Sequence, residues 1–255
     1  MYDTRSGRDS IASRGGRFLV LRTMRAMARR RFFVPEVRRG MAELTGHDAE
    51  HLIRVLRAEA GQCYEISDNR DVYLAEITSA RKSAVCFEVI EKLAPQAELL
   101  PAALVIALIK FDRLEWLIEK ATELGVAEIS FFEAVRTERG LLQAARKRIA
   151  RWEKIALEAS QQARRAHLPR LSETNWKSVL ATDGVKLLLD ENPGAPPLRK
   201  AEDRAALLVG PEGGWTHRER EEALAAGWQS CSLGPMILRT ETAALAGLAI
   251  AIRGE

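Results

Sequence analysis

Hydrophobic and polar positions change their rhythm twice along the chain. Up to Arg31, in MYDTRSGRDSIASRGGRFLVLRTMRAMARRR, apolar residues follow no clear period, and no apolar secretory core precedes a small-residue cleavage site. From Phe32 the pattern becomes strand-like. QCYEISD, VYLAEITSA and SAVCFEVIEKL read as three strands, with the polar DNRD as a hairpin turn. HDAEHLIRVLRA, with Leu52, Ile53, Val55 and Leu56 at near-helical spacing, predicts one short helix among them. A short helix among small strands predicts a compact β-barrel over residues 32–94. APQAELLP, Ala94 to Pro101, then reads as a linker with prolines near both ends.

From Pro101 the rhythm is strand–helix. AALVIALI is a continuous apolar run, as expected of a strand buried on both faces. DRLEWLIEKATELG has Asp112 and Glu115 in capping-box spacing and ends on Gly125, which predicts a helix with Leu114, Leu117, Ile118, Ala121 and Leu124 facing inward. AEISFF is a second strand. One long helix is predicted from about Leu141 to Ala163, because Leu142, Ala145, Ile149, Trp152, Ala156, Ala159 and Ala163 recur in steps of three and four. VKLLLDE, AALLVG and QSCSLG follow as short strands, each ending in a loop. This alternation implies an α/β domain over residues 101–255, with a mainly parallel sheet and helices on both sides.

Charge narrows the picture less than the total suggests. The 255 residues carry a net +4, but residues 1–31 hold nine Arg against two Asp, a net of +7. The remainder is therefore near −3, and any nucleic-acid footprint must be a local patch. The Arg- and Ser-rich opening is expected to be a flexible, nonessential extension. It loosely resembles an organelle transit peptide and is equally compatible with a true start at Met24 or Met27. The longest uncharged apolar runs near the C-terminus are about half of the roughly 20 residues that a membrane helix needs, so no membrane association is expected. Cys63, Cys86 and Cys231 are scattered and lack a CxxC pair, which suits a reducing compartment and argues against a zinc site. His47-x-x-Glu50-His51 matches a metalloprotease pattern only formally; no third ligand stands nearby, and no metal is expected.

The chemistry concentrates late in the chain. LLVGPEGGWTHRERE ends an apolar run in Gly210-Pro211, and QSCSLGP ends another in Gly234-Pro235. Open parallel sheets bind ligands at the carboxyl ends of their strands, and glycines let a main chain approach a ligand closely. Thr216 and Glu219 form a capping box that starts the next helix. Neither a phosphate-loop lysine nor a G-x-G-x-x-G is present, which disfavours triphosphates and Rossmann-bound dinucleotides. Such loops suit a flat heterocycle held chiefly by peptide groups. Arg239 and Glu241 stand at the mouth of a helix whose body, Ala243 to Ile252, has no charge; such a helix is expected to be buried all round, with those two residues at a cleft or interface.

LVGPEGGWTHRE together with LGPMILRTETAALAGLAI closely resembles the RsmE-type methyltransferases of the SPOUT, or trefoil-knot, class. RRFFVP, HLIRVLRAEAGQ, KATELGV, RTERG and QQARRAHLPRL extend the resemblance from about Phe32 to Arg253. It implies a PUA-like N-terminal barrel, a knotted C-terminal α/β domain, a homodimer and a cytoplasmic location. The implied activity is transfer of a methyl group from S-adenosylmethionine to uracil N3 of one uridine in 16S ribosomal RNA of the small subunit. By the same resemblance, Leu189, Gly210, Glu212, Gly213, Leu233, Gly234, Ile237, Leu238 and Arg239 contact the cofactor. Glu241 or Glu212 is the candidate base for the N3 proton, and Arg239 or Arg136 the candidate cation for the uracil anion or a phosphate. RNA contact is expected at Arg136, Arg139, Arg164 and Arg165, with further basic residues in RKRIAR. Another SPOUT methyltransferase, or a non-enzymatic RNA-binding assembly factor, are the alternatives.

Overall fold

Alternation shapes the first part of the molecule. The computed structural model describes residues 30–81, 83–94, 100–192 and 194–253. Residues 1–29 of the extension and residues 95–99 of the linker reading lie outside them. The chain divides into two compact units, Met1–Ala94 and Pro95–Glu255.

In the first unit, β1 (Arg31–Phe33), β2 (Val37–Arg38), β3 (Met41–Thr45), β4 (Cys63–Ser67), β5 (Val72–Arg81) and β6 (Ala84–Lys92) form a six-stranded sheet in the order β1-β4-β5-β6-β3-β2. Only the β1–β4 pair is parallel. Period-two burial in β3 turns Ala42 and Leu44 inward and Met41 and Glu43 outward. Helix α1 (Gly46–Arg54) adds Ala49 and Leu52 to a core built on Phe32, Ile66, Ile77 and Phe87. Irregularities at Leu74/Ala75 and Ile77/Ser79 in the β5–β6 ladder increase the coiling of this sheet, as closure toward a barrel needs. β1 begins at Arg31, the last residue of the stretch read as extension. Its guanidinium is buried and pairs with buried Glu65 at 2.8 Å.

The second unit is a six-stranded, wholly parallel sheet in the order β12-β10-β11-β7-β8-β9. Its strands are β7 (Ala102–Ala107), β8 (Glu128–Phe132), β9 (Arg170–Glu173), β10 (Val185–Leu189), β11 (Ala205–Val209) and β12 (Gln229–Cys231). β7 and β11 are buried at every position because helices cover both faces. One face carries α2 (Phe111–Leu124), α4 (Ile149–Gln162) and α7 (Thr240–Arg253), with α3 (Leu141–Arg146) at its margin. The other carries α5 (Trp176–Leu180) and α6 (His217–Ala225), together with Trp215 and Trp228. Among the described residues no helix is long and apolar enough to cross a membrane.

Three local expectations are corrected. The capping-box spacing at Asp112 is not used: α2 starts one residue earlier behind Lys110, with no side-chain cap, and Glu115 instead accepts hydrogen bonds from Arg148 and Arg151. Phe111 is drawn into the helix by edge-on packing against Trp152, with ring centroids 5.7 Å apart. The single helix from Leu141 to Ala163 is two, because the N–H groups of Lys147 and Arg148 bond three residues back, to Ala144 and Ala145, and close the first helix. The apolar stripe survives the break, with Ala145, Trp152 and Ala156 in one core. Finally, α7 is not buried all round. Ala244, Leu248, Ala251 and Ile252 face the core, while Ala243, Leu245, Ala246, Ala249 and Ile250 are only partly covered.

Candidate active site

Three strand ends converge on one cavity. β10 supplies Leu189 and Asp190, β11 supplies Gly210 and Pro211, and the loop after β12 supplies Leu233 and Gly234. Met236, Ile237 and Leu238 line it as well, together with Thr240 and Ala243 at the start of α7. The lining combines apolar side chains and glycine backbone with Asp190, Glu191, Ser232 and Thr240. An apolar surface with a few polar groups suits a flat heterocycle with polar edges.

Trp215 sets the width of the cavity. Its indole N–H donates to Leu189 O at 3.0 Å, its ring stacks with Phe132, and it is 6% exposed. A Cβ on Gly210 would stand 2.9 Å from Trp215 Cε2, a distance real structures avoid. Glycine is needed at 210 for this contact, since the indole cannot retreat without breaking its bond to Leu189. Gly210→Ala is expected to lower stability by about 1–3 kcal/mol through overpacking. Denaturant melts of the two proteins check this, and equal midpoints at equal slopes would reject it.

Two devices fix the loops around the cavity. The Asp190 side chain is fully buried. Arg220 Nε and Nη2 donate to its two oxygens at 2.7 and 3.0 Å, and Ser230 Oγ donates at 3.3 Å. The bond to Asp190 holds the Arg220 guanidinium above its ordinary pKa. The second device is Glu219. As expected, it forms a capping box with Thr216, but its other oxygen also accepts the Val135 N–H at 2.9 Å. One carboxylate thus ties the loop after β8 to the loop after β11. Arg136, in that first loop, donates to Gly213 O at 2.9 Å and to Trp215 O at 3.3 Å.

The predicted residues separate into groups. Leu189, Gly210, Leu233, Gly234, Ile237 and Leu238 line the cavity. Glu212 and Gly213 turn away from it into a neighbouring cleft, where Arg113 pairs with Glu212. Arg239 is exposed and lines neither, and no ion pair of its side chain is found among the described residues. Glu241 is 8% exposed, and its Oε2 has no hydrogen-bond partner among the described residues; it also lines neither space. The mouth-of-helix expectation therefore holds it in the right turn but not facing either opening.

The basic residues separate as well. Arg136 and Arg139 are exposed beyond β8. Arg164 is half-buried with a left-handed backbone, φ 55°. Arg165 is committed to the fold: its guanidinium donates to Thr122 O, Val126 O and His167 O, and burial pushes its pKa down to about 10, still charged at neutral pH. The RKRIAR patch is thinner than its charge suggests, because Arg146 pairs with Glu173 and both Arg148 and Arg151 pair with Glu115. Asp190, Trp215, Arg220, Lys110 and Arg113 are site residues that sequence reasoning missed. Only Asp190 and Lys110, each the first charge after a buried strand, left any signal.

The fold and cavity define a parallel α/β domain with a ligand cavity at its strand ends, and comparison with known proteins makes this specific. Residues 96–252 match the family model described as RNA methyltransferase domain. Ribosomal RNA small subunit methyltransferase E of Bacillus subtilis is 34% identical over 224 residues, covering 80% of this chain and 87% of that protein. The protein of the same name from Synechocystis sp. is 32% identical over 237 residues, covering 88% and 77%. A crystal structure of the corresponding Neisseria gonorrhoeae protein, bound to S-adenosyl methionine, superposes with a TM-score of 0.77 at 30% identity, covering 86% of this chain and 95% of that one. A Legionella pneumophila methyltransferase solved with the same cofactor also gives 0.77, at 27% identity, with the same coverage. The chain belongs to the ribosomal RNA small subunit methyltransferase E family.

Proposed function

We propose that this chain methylates uracil N3 of one uridine in 16S ribosomal RNA, using S-adenosylmethionine. The observation that carries the reading is the cavity formed by the three strand-end loops, with Gly210 pressed against Trp215. Apolar walls and glycine backbone fit an adenine, and Leu189, Gly210, Leu233, Gly234, Ile237 and Leu238 would hold the cofactor. When bound, it supplies an activated methyl group on a sulfonium leaving group, so the protein's task is positioning and electrostatics. Glu212 is the assigned base for the N3 proton, because it lines the cleft that meets the cofactor cavity at Pro211. Arg136, anchored on Gly213 O and Trp215 O, is the assigned cation for the charge developing on the uracil oxygens.

The finer structural readings belong here too. A knotted C-terminal domain is supported by the Pro196–Leu198 segment. Ser232 N donates to Pro196 O and Leu198 N to Ser232 O, each at 2.8 Å, while α7 returns to the sheet and Ala251 O accepts from Ala201 N. A homodimer is supported by the partly covered side of α7 and by Met236 and Ile237, which are 77% and 84% exposed. A PUA-like barrel, Arg136, Arg139 and Arg164 as RNA contacts, and a cytoplasmic place of action complete the proposal. Among the described residues no group of three or more His, Cys, Asp or Glu could hold a metal ion.

The test combines binding with product analysis. Calorimetry is expected to show uptake of S-adenosylmethionine by the purified chain. Mass spectrometry is expected to show one methyluridine missing from small-subunit RNA in cells lacking the gene, restored by the wild-type chain. No cofactor uptake by folded protein, or an unchanged RNA, refutes the reading.

A further inference from the structure

Beside the cofactor cavity lies a second cleft of different chemistry. It is walled by Ile109 and Lys110 after β7, by Arg136 and Glu138 after β8, and by Glu212 and Gly213 after β11. Pro211 borders both spaces, so whatever occupies this cleft sits next to the methyl donor's loop. No aromatic side chain lines the cleft. Bases of single-stranded RNA are gripped by stacking on aromatic rings or arginine planes, and the Arg136 guanidinium is already turned onto two carbonyls. The cleft is therefore poorly built to grip a base by stacking, which leaves Glu212 and Arg136 to meet the edge of the uracil beside Pro211.

Its charges fit an anion. Glu212 is neutralised by Arg113, which reaches it from the first turn of α2. That leaves Lys110 and Arg136 against the single carboxylate Glu138, a net positive charge at the wall. Arg136 is anchored on Gly213 O and Trp215 O and is already assigned to the uracil oxygens. Lys110 is exposed, and its ammonium makes no ion pair or hydrogen bond among the described residues. A lysine on a flexible stem meets a phosphate as a point charge without bidentate geometry.

We infer that this cleft receives a backbone phosphate of the RNA strand beside the target uridine, with Lys110 as its cation. The assignment rests on the proposed RNA methyltransferase activity. It divides the work of recognition: Glu212 and Arg136, next to the Pro211 border with the cofactor cavity, meet the base to be methylated, and Lys110 holds the strand beside it. Lys110 is a binding residue here and takes no part in methyl transfer.

Undermethylated small ribosomal subunits and the full-length chain provide the test. Lys110→Gln is expected to raise KM for the subunit several-fold with kcat unchanged, and to leave the dissociation constant for S-adenosylmethionine unchanged. The dependence of log affinity on log salt is expected to flatten by about 0.7–0.9, the contribution of one phosphate contact. Lys110→Arg keeps the charge and is expected to restore the slope. If wild-type protein methylates the subunit while Lys110→Gln matches it in KM and slope, this assignment alone is overturned. If wild type shows no methylation, the parent reading falls and takes the assignment with it. Inorganic phosphate separates the two sources of the anion: competition by free phosphate at low millimolar levels, with an unchanged RNA slope in Lys110→Gln, would mark a free-anion site and reject the RNA strand.

Discussion

Replacing Arg220 with methionine is expected to destabilise the chain by about 3–5 kcal/mol, the usual cost of removing one partner from a buried ion pair. Asp190 has no exposed side-chain surface, and two of its hydrogen bonds come from this guanidinium. Without Arg220, the carboxylate would retain only Ser230 Oγ and the Asn192 N–H, each at 3.3 Å. A charge so poorly paired in the interior is expected to pull the loop open toward water. Because Leu189 and Asp190 line the cavity proposed for the cofactor, weaker binding of S-adenosylmethionine should accompany the loss of stability. The double variant Arg220→Met/Asp190→Asn is the control. Removing both charges leaves no buried ion, so much of the lost stability should return, and the cycle measures the coupling directly. Urea unfolding at constant slope is the measurement. An Arg220→Met midpoint indistinguishable from wild type would show that Asp190 is solvated or otherwise satisfied in solution.

That pair also shows where sequence reading stops. Arg220 and Asp190 are separated by 30 positions, and nothing local in THREREE distinguishes Arg220 from Arg218, which makes an exposed i,i+4 pair with Glu222. The same limit applies to RKRIAR, whose charge is visible but whose partners, Glu115 and Glu173, come from other elements. Patterns that depend on a single element fared better. AALVIALI is legible as a doubly buried strand because every residue of β7 must be apolar, and Gly125 ends α2 at φ 105°, where a residue without Cβ is favoured. Capping boxes mark the boundary between the two cases. Thr216 and Glu219 form theirs, whereas Asp112 and Glu115 share the spacing but not the geometry, because Phe111 is held by Trp152 and Glu115 by two arginines. The cavity loops were found from the two Gly-Pro strand ends. The role of Trp215 was not, since only the folded loop places its indole against Gly210.

Glu212→Gln is expected to slow single-turnover methyl transfer by about 10²–10⁴-fold, the usual contribution of a positioned general base, while leaving cofactor affinity nearly unchanged. The glutamine keeps the size of the side chain and a hydrogen bond from Arg113 but cannot accept the uracil N3 proton. Of the two candidate glutamates, Glu212 lines the cleft that adjoins the cavity proposed for the cofactor, whereas Glu241 is buried and faces neither opening. Glu241→Gln is therefore expected to keep its single-turnover rate. Because that change removes a buried carboxylate with an unsatisfied oxygen, its stability should be equal to or above that of wild type. If Glu241→Gln abolishes transfer while Glu212→Gln retains it, the roles are reversed, and α7 must turn its first residues toward the substrate when RNA is bound.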